Sequence, residues 1–407
     1  MSFLKICSAV FLGFFLTAAG RLWAEPKYIP VANGLFSTGQ WYFDGTKSEV
    51  GGNAAMTFVP AVQFSNNFSL IPTLQTNYHG TRTAEELAGG NTLFHDTWDN
   101  GVSLKAVNGL GSDWFIKENV GYRFKWFRET VDESWNHGLY DYQIYDGGTE
   151  LEHRWGKHIS LAAGYDFSYL RFPNYVSLES GQSSDDAREF SGAHVLDERI
   201  HLFSLRFQTP LFWKMDGSLS TFYSPREYTN QTVVVLTGLL TPSSRRDVYF
   251  GNTATLNRVF PIKKTRLISS VSYSYASMDS NQNHYDASQT QFVANYYAYD
   301  QSAVGMNFTL AFGNKLESPM LIDLGYNYSN RNYRSRIIQM ADASYQQEKL
   351  SMIEQALNLG FSYPLSKNFR VRTTSAFGWS KSNNRYESSY SYNYRNAEYQ
   401  FGFTYDY

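Results

Sequence analysis

The chain has 407 residues; Tyr 31, Phe 30 and Trp 9 make it 17% aromatic, charged residues are only 18%, and the formal net charge is −2. This near balance argues against nucleic acid as a partner, which a binding protein meets with a basic patch. Mean hydropathy is negative, and no segment beyond the N-terminus offers the ~18 consecutive apolar residues of a spanning helix, so a helical membrane protein is excluded.

Residues 1–24 read as a secretory signal. Lys5 gives the positive start, Ile6 to Ala19 is apolar apart from a few small polar residues, and cleavage can follow Gly20 or Ala24. The apolar run is shorter than the ~20 residues of a membrane anchor. Cys7, the only cysteine, lies inside this segment. The exported chain therefore has no disulfide, no thiolate metal site and no c-type haem attachment, and no cofactor is expected. Residues 25–34 read as a short periplasmic lead-in to a single domain over 35–407.

Alternation at period two, the mark of a strand with one apolar and one polar face, then runs along the chain. Trp114, Ile116, Val120 and Tyr122 share a phase, into which Glu118 intrudes; a bulge or a later strand start is expected to remove it. Ile159, Leu161, Ala163, Tyr165, Phe167 and Tyr169 share a face; Phe203, Leu205 and Phe207 oppose Arg206. Leu267, Val271, Tyr273 and Tyr275 oppose serines; Val304, Met306, Phe308, Leu310 and Phe312 oppose Gly305, Asn307 and Thr309. Ile353, Leu357, Leu359 and Phe361 oppose Glu354, Asn358 and Gly360, and Val371, Phe377 and Trp379 oppose Arg370 and Arg372.

Many of these segments run about ten to fourteen residues, longer than the ~5–6 of sandwich strands and matched to tilted membrane strands. Short connections fall near 65–67, 111–112, 155–157, 261–264 and 364–367. Long polar ones fall near 80–96, 129–138, 172–196, 227–245, 278–287, 329–346 and 381–392. Short turns on one side and long loops on the other are the asymmetry of outer-membrane barrels. The fold class expected is all-β, a transmembrane antiparallel up-and-down barrel. About seventeen candidate strands can be marked, the parity failing around 278–318. An even number is required, so sixteen strands are expected, with eighteen as the alternative.

The C-terminus, AEYQFGFTYDY, places Tyr399, Phe401, Phe403, Tyr405 and Tyr407 at perfect period two. It resembles the C-terminal assembly signal of bacterial outer-membrane β-barrel proteins of the broad porin-like class, although that pattern most often ends in Phe. The resemblance covers roughly 35–407 and is architectural. It implies the outer membrane of a Gram-negative bacterium, insertion by the barrel-assembly machinery, and contact with outer-membrane lipids and lipopolysaccharide. It also leaves room for a homotrimer or for a periplasmic or outer-membrane partner.

Enzymes of this architecture, the outer-membrane phospholipases and deacylases, use His–Ser chemistry near the lipid face. Here His153, His158, His194 and His201 are scattered over two strands and a loop, and no catalytic residue is assigned. His137, Asp141, Asp146 and His153 lie around one loop, but surface carboxylates facing solvent or sugar headgroups are the blander reading, and no metal is expected. The lumen-lining candidates are Lys117, Arg123 and Lys125 in one phase, Arg206, Arg370 and Arg372, and the acidic Asp166, Asp216, Asp323 and Glu354. In a pore such rows set a field that selects solutes by charge; in a filled barrel they neutralise one another. Three readings follow: a porin-like channel for small polar solutes, the barrel of a larger export or conduit complex (polysaccharide, protein or cytochrome), and a surface structural or adhesive barrel with a closed lumen. The apolar run VVVLTGLL within 227–245 needs an explanation as plug, lid, contact or strand edge.

Overall fold

The period-two segments become strands that pair with their chain neighbours until the last meets the first, and the computed structural model is a closed antiparallel barrel of sixteen strands. The structure describes residues 25–44, 46–80, 83–87, 90–176, 193–286, 291–313, 318–386 and 392–407; the signal segment lies outside them. In chain order the strands are β1 (Lys27–Phe43), β2 (Thr46–Ser65), β3 (Phe68–His79), β4 (Thr83–Leu87), β5 (Gly90–Phe94), β6 (Asp96–Gly109), β7 (Trp114–Arg128), β8 (Tyr142–Trp155), β9 (Ile159–Arg171) and β10 (Glu198–Leu211). They continue with β11 (Met215–Val234), β12 (Leu240–Ile262), β13 (Thr265–Ser280), β14 (His284–Asp286), β15 (Gln291–Val293), β16 (Tyr299–Phe312), β17 (Met320–Gln339), β18 (Tyr345–Pro364), β19 (Phe369–Ser382) and β20 (Tyr394–Asp406). β4–β5 and β14–β15 are separate two-stranded hairpins outside the ring.

The barrel has two faces of opposite chemistry. Phe36, Val50, Met56, Leu74, Val102, Leu151, Phe203, Leu219, Leu324, Phe361 and Phe401 are exposed and share one phase through the strand registers. An exposed apolar belt around a whole molecule is untenable in water; it is the lipid-facing surface of a membrane barrel. The other phase is concave: Arg206 on β10 reaches over β9 to Glu150 on β8, which only an inward-pointing pair can do. Aromatic residues mark both ends of the outward face of β7, with Trp114 at one end and Trp126 beside Trp98 at the other. Their spacing is roughly 40 Å along the strand and roughly 30 Å in height at the usual tilt, close to the apolar band of such barrels.

β1 starts at Lys27, not near Leu35, so the expected lead-in over 25–34 is mostly strand. From Lys27 to Ala32 it pairs with β2, while pairing with β20 begins at Asn33 opposite Asp406. Pro30 is therefore on a free edge, where its missing N–H costs nothing. The seam between β1 and β20 is tight. A Cβ on Gly39 would sit 1.9 Å from the Tyr399 carbonyl oxygen, and one on Gly402 would sit 2.0 Å from that of Phe36. Ala32 and Tyr407 close the end by exchanging backbone bonds of 3.2 and 2.8 Å.

Four further expectations need correction. The parity failed around 278–318 because β14–β15 is a hairpin inside the loop after β13, not part of the ring. Residues 227–245 and 329–346 are not loops: β11, β12, β17 and β18 run through them, leaving connections only at 235–239 and 340–344. The connection after β10, Phe212–Lys214, went unmarked because it holds no Gly or Pro; Trp213 and Lys214 themselves take left-handed φ values of 59° and 55°. Glu118 is rescued neither by a bulge nor by a later start. β7 begins at Trp114 with unbroken register on both sides, so Glu118 stays in the outward phase, between the small neighbours Ala106 and Thr149.

Candidate functional site

All ten lumen-lining candidates lie in the inward phase, but they do not form one site. On the β6–β10 wall the cations are matched by carboxylates of the same or neighbouring strands. Lys117 Nζ donates to Glu150 Oε1 at 2.6 Å and also pairs with Glu152. Arg206 Nη2 lies 2.9 Å from Glu150 Oε2, Arg154 Nε lies 2.6 Å from Glu152, and Arg123 grips Asp99 through two nitrogens. Lys125 sits 4.9 Å over the Phe127 ring. Asp166 faces the lumen from β9 beside Gly148, which leaves it room.

Asp323, Arg370 and Arg372 meet elsewhere, in an open cavity of about 430 Å³ near the periplasmic end, with Asp406, Leu35 and Thr57. This hollow runs along the inner wall from β17 through the seam to β2. Asp323 accepts from Thr309 at 2.7 Å and Arg370 donates to the Pro319 carbonyl at 2.9 Å. Glu354 accepts from Ser329 at 3.5 Å. β7 and β17 stand eight places apart in the ring of sixteen, so Lys117 and Asp323, each near the periplasmic end of its strand, occupy opposite walls.

A second centre, which the sequence reading missed, lies at the extracellular end of the lumen. Arg245 is almost fully buried and holds Asp247 through Nε and Nη2 at 3.1 and 2.8 Å. Its guanidinium lies 4.4 Å from the rings of both Tyr228 and Tyr297. Arg226 covers Tyr249 at 4.1 Å, Arg331 covers Tyr299 at 4.5 Å, and Arg336 packs against Tyr296, Tyr333 and Tyr392. Arg–Tyr stacking holds a cation away from water at modest cost because the ring face carries negative charge. A cavity of about 320 Å³ opens among Glu198, Arg226, Arg245, Asp247 and five of these tyrosines, Tyr228, Tyr249, Tyr297, Tyr299 and Tyr333. Two small loop cores flank it, one of Phe172, Tyr175, Val195 and Leu196, the other of Tyr333, Ile338, Leu350 and Met352.

Buried carboxylates peg the loops to this end. Asp141 accepts from the backbone N–H of Phe127 at 2.7 Å and of Gly138 at 3.1 Å. Burial outweighs those donors and raises its carboxyl from 3.8 to about 6. Asp197 accepts from the Phe172 N–H at 2.8 Å and the Tyr169 hydroxyl at 3.1 Å, and burial raises its pKa as well. The apolar VVVLTGLL run divides. Val233 and Val234 are buried, with Gln282 and Asn283 bonding the backbone of residues 232 and 234. Leu236, Leu239 and Leu240 at the hairpin tip are exposed.

The scattered histidines stay scattered. His153 points outward between Trp114 and Trp155, each 4.4 Å away between ring centres, while Asp146 is in the inward phase. His201 meets the Tyr165 hydroxyl at 2.9 Å on the outward face. Among the described residues no three His, Cys, Asp or Glu side chains are grouped to hold a metal ion.

A closed sixteen-strand ring with an apolar exterior, a charged interior and long loops on one side defines the class: this is a β-barrel of the Gram-negative outer membrane, of porin-like architecture. Neither a family model nor a curated protein matches the sequence. Among solved structures the chain is similar to OmpT, an outer membrane protein of Vibrio cholerae (11% identity, 94% of this chain and 99% of that chain, TM-score 0.46). It is also similar to OccD3 of Pseudomonas aeruginosa (6%, 93% and 91%, 0.46). A bacterial polysaccharide outer membrane secretin is a third (8%, 93% and 98%, 0.46).

Proposed function

We propose that this barrel is a channel for small polar solutes. The observation that carries the reading is the inner face itself. From the periplasmic cavity at Arg370 and Arg372 to the paired charges of the β6–β10 wall, the inward phase offers charged and polar side chains to water. On the β6–β10 wall Lys117, Arg123 and Arg206 alternate with Glu150, Glu152 and Asp99, so a solute meets both signs of charge side by side.

Two partner readings accompany this. Lys381, Arg385 and Arg395 gather with Trp379 around a cavity of about 320 Å³ at the extracellular rim, with Asp44 as its single acidic residue. Lys381 and Arg395 share the outward phase of Trp379, at the height of outer-leaflet headgroups, which suits lipopolysaccharide phosphates. The outward rings Tyr399, Phe401, Phe403, Tyr405 and Tyr407 fit the role of assembly signal.

The test is single-channel conductance of refolded residues 25–407 in planar bilayers, with ion selectivity read at several salt concentrations. Stepwise, stable conductance is expected. A correctly folded barrel that stays electrically silent would sink the channel reading.

A further inference from the structure

We propose that the extracellular cavity between the two loop cores is a binding site for a neutral sugar, one hydroxyl of which is seated between Glu198 and Arg226. The inference names a solute class for the channel and so rests on that reading for access from outside; the site itself is argued from its own geometry.

The first observation is an incomplete pair. Glu198 is 8% exposed and its Oε2 has no hydrogen-bond partner, and neither does Arg226 Nε. Glu198 Oε2 lies 3.7 Å from Arg226 Nη1, an ion pair beyond hydrogen-bond range, and the Nε–H of the same guanidinium is left over beside it. The missing group must donate to a carboxylate and accept from a guanidinium at once. A hydroxyl does both from a single atom, and so does water, whose place a sugar hydroxyl can take without losing either bond; a halide or sulfate cannot donate, and an ammonium cannot accept.

The second observation is the wall. Arg226 and Arg245 balance Glu198 and Asp247, so the cavity asks for no net charge. Arg245 and Asp247 already satisfy each other, which leaves the Glu198–Arg226 gap as the place for a polar contact. Five tyrosines, among them Tyr228, Tyr249 and Tyr297, line much of the rest together with the apolar Leu170, Phe172, Leu196 and Met278, giving ring faces for the C–H surface of a sugar and hydroxyls at their edges. The volume of about 320 Å³ is at the small end of ligand sites, which run ~300–1,000 Å³.

The experiment is calorimetric titration of the refolded barrel, residues 25–407, in detergent with maltose, cellobiose and sucrose, and in parallel with glycine and sodium sulfate. At least one disaccharide is expected to bind saturably, and Glu198→Gln and Arg226→Met are each expected to weaken it by about tenfold or more, because each removes a hydrogen bond to a charged group. Heat-modifiable gel mobility checks that each variant is folded. Should either fail to fold, the double variant Glu198→Met/Arg226→Met, which strands no lone charge, carries the same expectation. The proposal is overturned if no disaccharide binds, if binding is indifferent to these substitutions, or if glycine or sulfate binds more tightly than every sugar. Conductance separates the two ideas. Sugar binding by a silent barrel keeps the site and removes the channel; conductance without sugar binding does the reverse.

Discussion

Two stretches of the inner wall keep arginine out of bulk water in opposite ways. On β6–β10, Arg123 and Arg206 are neutralised by carboxylates one and two strands away and Arg154 by Glu152 on its own strand, and all three remain partly exposed, with 42% of the Arg123 side chain open to solvent. At the extracellular end of β11, β12 and β17, Arg226, Arg245, Arg331 and Arg336 lie against tyrosine rings, and the Arg245 side chain is only 4% exposed. The first arrangement leaves alternating charges facing water, which a passing ion can feel. The second hides the charge and presents ring edges and hydroxyls instead. One residue type is thus left facing water in one place and buried against aromatic rings in the other.

The sharpest way to break the comparison is at Arg245. Asp247→Ala leaves its buried guanidinium uncompensated, which is expected to cost roughly 3–5 kcal/mol, read as a lower urea midpoint for the barrel in lipid vesicles. If the midpoint is unmoved, the tyrosines alone hold the cation. Next comes the peg beside this region. Asp141→Ala strands the amides of Phe127 and Gly138, at about 1–3 kcal/mol each, and accelerated hydrogen exchange confined to residues near 127–141 is the expected result.

The same peg carries a pH dependence. The docked Asp141 carboxyl holds its proton up to about 6, against 3.8 ordinarily. The docked loop therefore binds more protons than the opened one, and docking is fullest below about pH 4, weakens as pH rises to about 6 and is level above it. Exchange at the Gly138 amide, corrected for its intrinsic rate, should show this decline in the parent and not in Asp141→Asn. The smallest effect on stability belongs to the exposed wall. Arg123→Met is expected to shift stability by no more than ~1 kcal/mol. It leaves Asp99 unpaired in the lumen, so the reversal potential in a salt gradient should move toward cation preference. An unchanged potential would mean that this wall does not shape the field.

The two regions were unequally legible in the sequence. On β7 and β19 one face meets lipid, so Tyr122 or Phe377 alternates with Arg123 or Gly378, and the inward phase of Lys117, Arg123, Lys125, Arg370 and Arg372 is readable from period two alone. Above the lipid both faces of a strand are wet. Alternation then vanishes, and PREYTNQT and SSRRDVY take on the composition of loops, which hid Arg226, Arg245 and Asp247 within 227–245 and its margin. A signal was present: Arg226 and Tyr228 continue the inward phase of Phe222 and Ser224, and Arg245 and Asp247 lead into Tyr249 in the inward phase of β12. The ion pairs themselves depend on register, since Lys117 meets Glu150 only because β7 and β8 pair at that offset, and single-strand patterns do not contain it.

The seam has a consequence for the order in which the barrel forms. Almost every neighbouring pair in the ring is separated by one turn or loop, but β1 and β20 meet residues 33–43 with residues 396–406. For a free chain, joining ends so far apart costs roughly 4 kcal/mol more entropy than closing a five-residue hairpin. A curled sheet built hairpin by hairpin has already spent that entropy before its edges touch. Until then the β1 and β20 edges present unpaired backbone that any other strand could take. Gly39 and Gly402, which let the edges approach without a Cβ between them, thus allow the pairing that removes the last edge a stranger's strand could take.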